Sequence, residues 1–234
     1  NGLRINLDTL DQIEKQYQEE LDELELRLND VAREAMGDTP ISLTSPDDRS
    51  MLLYSRKVKD KGTWSNLFNL GMERRGATMK PKQRTRMSSK DFRIAVRNNT
   101  DVVYKTVGER CAGCLGQGRV RPVRKDGTPS KAVRICTYCG GKGVVYMPTN
   151  EVAGFKMVPR NVRDVASAGF RTDKDTLAER ELELSGPARE FASAYVRYNA
   201  LRMYLGTFVE GMKNNVDDHG IIHPEFMQCV TATG

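Results

Sequence analysis

The sequence predicts a mainly α-helical chain, interrupted midway by a small β-hairpin module and closed by short C-terminal β-strands. Three observations carry that expectation. Apolar residues recur at helical spacing near the N-terminus and again beyond Pro187. A pattern of cysteine and glycine occurs twice in the middle, and β-branched residues gather in the last stretch.

Leu10, Ile13, Tyr17, Leu21, Leu24, Leu28, Val31 and Ala35 put one apolar stripe on a long helix over 8–36, ended by Gly37 as a left-handed cap. Its other face is rich in Asp and Glu and fits solvent. In "TSPDDRSMLLY", Ser45 is an N-cap, Pro46 the first helical residue and Asp47 and Asp48 first-turn acids, so a second helix begins there. "TDKDTLAEREL" from Thr172 predicts a third. "SGPAREFASAYVRYNALRMYLGTFVEGM" predicts a fourth, with Phe191, Tyr195, Leu201, Leu205 and Phe208 on its buried face. "IIHPEFMQCVTATG" reads as extended.

The net charge of +6 conceals a partition. Residues 55–171 hold 26 Lys/Arg against 8 Asp/Glu, while the rest of the chain holds 11 against 23. A block with a net charge of +18 points to a polyanionic partner, above all nucleic acid. No apolar run approaches the roughly 18 residues of a membrane span, and no charged-then-apolar leader opens the chain. It starts "NGLRIN" without Met, which reads as a fragment.

"CAGCLGQG" at 111–118 and "CTYCGGKG" at 136–143 are two copies of C-x-x-C-x-G-x-G. Each C-x-x-C puts two thiolates in one turn, and the glycines let the chain fold back with N–H groups free to donate to sulfur. Cys111, Cys114, Cys136 and Cys139 complete a four-sulfur set for one structural zinc ion. Four thiolates leave no open coordination position, so the ion holds a module together and does no chemistry. Four of the five cysteines are used this way, which fits a reducing, cytoplasmic compartment better than a disulfide scaffold.

"RVRPVRKDGTPSKAVRI" between the knuckles reads as a β-hairpin turning at Asp126-Gly127, with Arg119, Arg121, Arg124 and Arg134 alternating on one face. "MKPKQRTRMSSK", with Lys80, Lys82, Arg84 and Arg86, has little to bury and is expected to be flexible until bound. Trp64, Leu67, Phe68 and Leu70 form a small apolar cluster, with Trp64 either the core of a subdomain or an anchor for a partner; the core reading is preferred. Cys229 reads as a small buried apolar residue, His219 and His223 as strand and turn residues, and Asp217 and Asp218 as turn formers.

The repeats resemble the cysteine-rich zinc region of the DnaJ co-chaperones over about 33 residues, which informs the local fold alone. The ends resemble a different family. "HGIIHPEFMQCVTATG" is similar to the segment of family A (DNA polymerase I-type) DNA polymerases reading roughly G-R-I-H-T-S-F-x-Q-x-x-T-A-T-G. His223, Phe226, Gln228, Thr231, Ala232, Thr233 and Gly234 fall in register. "YVRYNALRMYLGTFVEGM" resembles that family's long thumb helix, with Tyr198, Leu201 and Thr207 matching. "FRTDKDTLAEREL" resembles the element before that helix, "ISLTSPDDRSMLLY" the entry to the thumb, and "NGLRIN" the segment leaving the exonuclease-like domain.

The resemblance implies an antiparallel long-helix thumb in two halves, 1–54 and 172–213, followed by the first strands of a palm at 214–234. A basic insertion at 55–171, with its zinc module at 110–147, would stand at the thumb tip. The parent would be a DNA-directed DNA polymerase, a nucleotidyltransferase in a bacterial or bacteriophage-type replication or repair setting. Magnesium is implied only for the full-length parent, whose catalytic carboxylates lie in palm motifs absent from this chain, so no catalytic residue is expected here and the fragment alone should be inactive. Thr207, Thr231 and Thr233 match positions beside duplex primer–template. Met203 and Leu205 stand where the family has thumb lysines, so DNA contact is expected to have moved onto the insertion. The alternative makes the insertion a protein-interaction module that recruits a processivity or replisome partner through Trp64, Phe68 and the zinc hairpin.

Overall fold

The computed structural model describes residues 2–76, 78–123, 127, 128, 130–217 and 219–223. It is mainly α, about 47% helical, with about 20% strand in small two-stranded sheets. Its helices are α1 (Leu7–Met36), α2 (Pro46–Tyr54), α3 (Lys61–Leu67), α4 (Ser89–Asn99), α5 (Lys174–Arg180), α6 (Gly186–Met203) and α7 (Glu210–Asn215). None of the described helices is long and apolar enough to cross a membrane. Two compact units divide the chain: residues 1–28 with 177–234, and residues 29–176.

In the first unit the N-terminal part of α1 is answered by α6 and α7. Ion pairs step backwards along α1 as the chain advances: Arg27 with Glu190 at 2.7 Å, Glu20 with Arg197 at 2.6 Å, and Asp11 and Glu14 with Lys213 at 2.5 Å. That order makes the arms antiparallel. Several acids of the expected solvent face are therefore engaged by cations. The stripe is as the spacing predicts at Leu10 and Leu28, which are buried, while Ile13 lies at its exposed edge.

α6 does not continue as one regular helix. A π turn over Tyr204–Val209 separates it from α7. The extra residue per turn rotates the following side chains off the helical face. Phe191, Tyr195 and Leu201 are buried as expected, but Phe208 is 48% exposed and Val209 takes its place at 4%. Leu3–Arg4 pairs antiparallel with Ile221–Ile222. The rest of the expected palm strand, with Phe226, Gln228, Cys229, Thr231 and Thr233, lies outside the described residues.

The second unit is built on aromatic rings. Tyr54 and Phe170 lie 4.6 Å apart, Phe170 and Trp64 5.6 Å, Trp64 and Phe68 4.6 Å, and Phe68 and Phe92 6.0 Å. All five rings are buried, and the Trp64 indole N–H donates to the Ala166 carbonyl at 2.9 Å. Trp64 is thus core, and neither it nor Phe68 offers a surface to a partner. Because Leu52, Leu53 and Tyr54 of α2 and Phe170 belong to this unit, it begins at Asn29 and ends at Thr176. The sequence reading drew it from 55 to 171.

The basic stretch expected to be flexible is tied down. Thr78–Pro81 pairs with Met72–Arg75, which sets Lys80 opposite Glu73. Beyond it, Lys82 N–H donates to Gly71, the Thr85 hydroxyl to Leu67 at 2.9 Å, and the Asn69 side chain to Gln83 at 2.7 Å. Composition showed little to bury there; the anchors are backbone, hydroxyl and amide hydrogen bonds, which composition does not register.

Trp64→Ala is expected to destabilise the second unit by about 3–5 kcal/mol, the usual cost of emptying a fully buried aromatic site. Denaturant melting should show it. Replacing 56–169 by a short linker should leave no cooperative transition for Leu52, Leu53 and Tyr54, since Trp64, Phe68 and Phe92 leave with it and Phe170 alone cannot close the ring core; unchanged melting would restore the boundary drawn from sequence.

Candidate metal centre

A two-stranded antiparallel stem, Tyr104–Arg110 with Val144–Val152, carries the cysteine module. Arg110 pairs with Val144 at its far end, so Cys111 leaves one strand where Gly143 enters the other. At its near end Thr106 bonds Asp38 and Thr39: its carbonyl accepts from the Asp38 N–H at 2.9 Å and its hydroxyl from the Thr39 N–H at 3.0 Å. The stem is therefore tied to the second unit by hydrogen bonds of both backbone and side chains, with the Gly108 N–H also donating to the Asp38 carboxylate at 2.9 Å.

The two knuckles adopt the same local structure, as their common sequence requires. Cys111 N–H donates to Gly143 and Cys136 N–H to Gly118, each at 2.9 Å, so each knuckle closes on the other. Gly118 N–H donates to Cys114 Sγ at 3.1 Å, and Gly143 N–H to Cys139 Sγ at 3.3 Å. The last glycine of each repeat is obligatory. Gly118 has φ 70° and a Cβ there would lie 2.2 Å from the Gly141 carbonyl oxygen; Gly143 has φ 76° and would meet that of Gly116 at 2.4 Å. No side chain fits where these two backbones cross.

All four cysteines are buried, and their Sγ atoms lie within 4.8 Å of one another. Cys111 and Cys136 are 3.8 Å apart and Cys114 and Cys139 3.7 Å. Four sulfurs around a tetrahedral ion with bonds of about 2.3 Å stand about 3.8 Å apart. A disulfide needs about 2.05 Å. The donor set, its geometry and its two N–H···S bonds fit a metal ion such as zinc.

The thiols differ electrostatically before any ion binds. Burial pushes Cys111 up to about 11, with hydrogen bonds from neighbouring thiols adding and the Cys114 N–H opposing. At Cys139 burial acts in the same sense but is outweighed by the Gly143 N–H, the Cys114 and Cys111 thiols and the Gly141 N–H, which bring it down to about 7.

The cations around the centre are placed less simply than expected. Arg119 pairs across with Ile135, and Val120 with Arg134. Partners directly opposite share a face, and successive residues alternate, so Arg119 and Arg134 project to opposite faces. Arg119, Arg121 and Arg134 are all exposed; Arg124, and with Asp126 part of the expected turn, lies outside the described residues. Lys82, Arg84 and Arg86 are exposed in the other basic segment. Thr207 is exposed within the π turn of the first unit. His223 contacts Asp217 at 3.2 Å, and Asp217 caps its own turn through the N–H groups of His219 and Ile221, so both are structural there. The sequence reading missed the stem, whose pairing joins segments more than 30 residues apart with no marker at either end.

Comparison with family models, with curated proteins and with solved structures found no match.

A thiolate site must lose its protons to take an ion, so lowering pH opposes binding. Cys139 ionises near neutrality and Cys111 far above it. Apparent zinc affinity should therefore fall at least about tenfold from about pH 8 to about pH 6. Chelator competition measures it, and a flat profile would reject ligation by thiolates. Cys114→Ser should lose the ion and the module while far-UV dichroism of the helices persists.

Proposed function

We propose that this chain is part of a family A DNA polymerase. Its antiparallel helical arms would form the thumb, and residues 55–171 a zinc-stabilised insertion that holds primer–template duplex by the phosphates. The zinc is structural, one per chain, held by Cys111, Cys114, Cys136 and Cys139.

The observation that carries the reading is the mounting of the cysteine centre. A rigid four-sulfur knot at the end of a two-stranded stem presents arginines on both faces of its ribbon, in a segment with 26 Lys/Arg against 8 Asp/Glu. Such an element grips a polyanion without needing an apolar interface. It has no helix face and no array of Asn or Gln to read base edges, so it would hold backbone and leave sequence unread. Arg84 adds a second exposed cationic point, its pKa lowered chiefly by partial desolvation and then by the neighbouring Arg171. The antiparallel arms support the thumb reading, and exposed Thr207 suits a contact beside the duplex.

The parent polymerase would use magnesium for phosphoryl chemistry; this chain's part is to bind and position. Binding through about four to six phosphates gives a slope of log K against log salt of roughly −4 to −5. Duplexes of different sequence should bind alike. Because Arg119 and Arg134 project to opposite faces, reversing each separately identifies the face that meets DNA: the effective one should flatten the slope by about one unit. A slope near zero, or reversals without effect on either face, would reject DNA as the ligand.

A further inference from the structure

A groove of about 540 Å³ opens on the second unit along α4, away from the cysteine centre. Its floor is Phe92 and Val96, one turn apart and buried at 2% and 5%. Its walls remain open to solvent: Ile94 on α4 and Val102 at the end of the strand Thr100–Val102 are each 40% exposed, and Val158 is 67% exposed. Arg93 and Arg97, also one turn apart, stand with Lys156 around the rim, and among the described residues no carboxylate lines it.

We propose that this groove docks an acidic amphipathic helix of a partner protein. Charge complementarity selects the occupant. Two arginines at i, i+4 on α4 match carboxylates spaced one turn apart on a second helix, and the aliphatic walls match its apolar stripe. α4 lines the groove between Phe92 and Arg97, about 9 Å at 1.5 Å per residue, which gives roughly two turns of an occupant something to pack on. Nucleic acid fits the groove less well. The Phe92 ring is covered, so it offers no face for a base, and the walls are aliphatic. The inference goes beyond the DNA reading and does not depend on it, because it uses neither the cysteine module nor its arginines.

The probe is a fluorescein-labelled helical peptide of about 15 residues, with Leu at i, i+4, i+7 and i+11 and Glu on either side. The metal-loaded full chain should bind it with Kd of roughly 10 μM, and a scrambled peptide of equal composition at least about tenfold more weakly. Arg93→Gln with Arg97→Gln should weaken binding about tenfold, as should Ile94→Ser with Val158→Ser. Thermal melting and metal content check that each variant folds. Val158→Ser alone, at an open position, keeps the test standing if the double variant does not. Equal binding of the scrambled peptide would overturn the proposal, as would variants within about twofold of the parent chain. So would a single-stranded oligonucleotide that displaces the peptide and loses as much affinity on Val158→Ser, which would assign the groove to nucleic acid.

Discussion

The cysteine module has almost nothing to fold around except its own sulfur. Its buried cluster is Cys111, Cys114, Cys136 and Cys139, with only Val120 and Val145 packed partly against it. So few apolar side chains do not offset the entropy of ordering more than thirty residues; the hydrogen bonds that close each knuckle on the other contribute, and an ion held by the four thiolates would supply the rest. Everything on the outside of the module follows from that economy. Leu115, Ile135 and Tyr138 stay 64–70% exposed because there is no interior to receive them, and the ribbon's arginines stay in water.

The second unit supplies what the module lacks. Its ring chain from Tyr54 to Phe92 is a conventional core, and the stem joins the module to it through its strand pairing and hydrogen bonds at its base. One end of the stem is pinned where Asp38 and Thr39 meet Thr106, directly after the Gly37 cap of α1. The cap thus ends a helix and sets the chain against the stem: a Cβ on Gly37 would lie 2.2 Å from the Thr106 carbonyl oxygen. Loss of the ion should therefore loosen the tip while the ring core keeps its packing.

What could be read beforehand was local. Helix stripes, the Ser45 and Pro46 start, the Gly37 stop and the four ligands all depend on spacings of a few residues, which the sequence displays directly. The ring core could not be read, because Trp64 finds Phe170 and Ala166 about a hundred residues away, and only pairing information places them. The π turn is another case. Nothing in "YLGTFVEG" announces the extra residue, yet it decides that Val209 and not Phe208 is buried. At the candidate site the ligands were legible and the display of charge was not, since the strand register that separates Arg119 from Arg134 is fixed by where the knuckles close.

The charge partition takes on a different meaning once the pairs are known. In the first unit, charges are used internally: Arg197 and Lys213 meet acids of α1, and Arg27 of α1 meets Glu190 of α6. Between 55 and 171 the same arrangement is arithmetically impossible. Eight acids there cannot match 26 cations, and some, such as Asp101 and Glu151, are already beside Lys59 and Lys105. Surplus like charge on a folded unit costs stability through self-repulsion. A unit with its own aromatic core can bear that cost, whereas a module held by one ion could not bear it on folding energy alone without the stem and the ion. Under the proposed DNA reading that excess would serve contact with phosphates, with the aromatic core and the stem carrying the elements that display it.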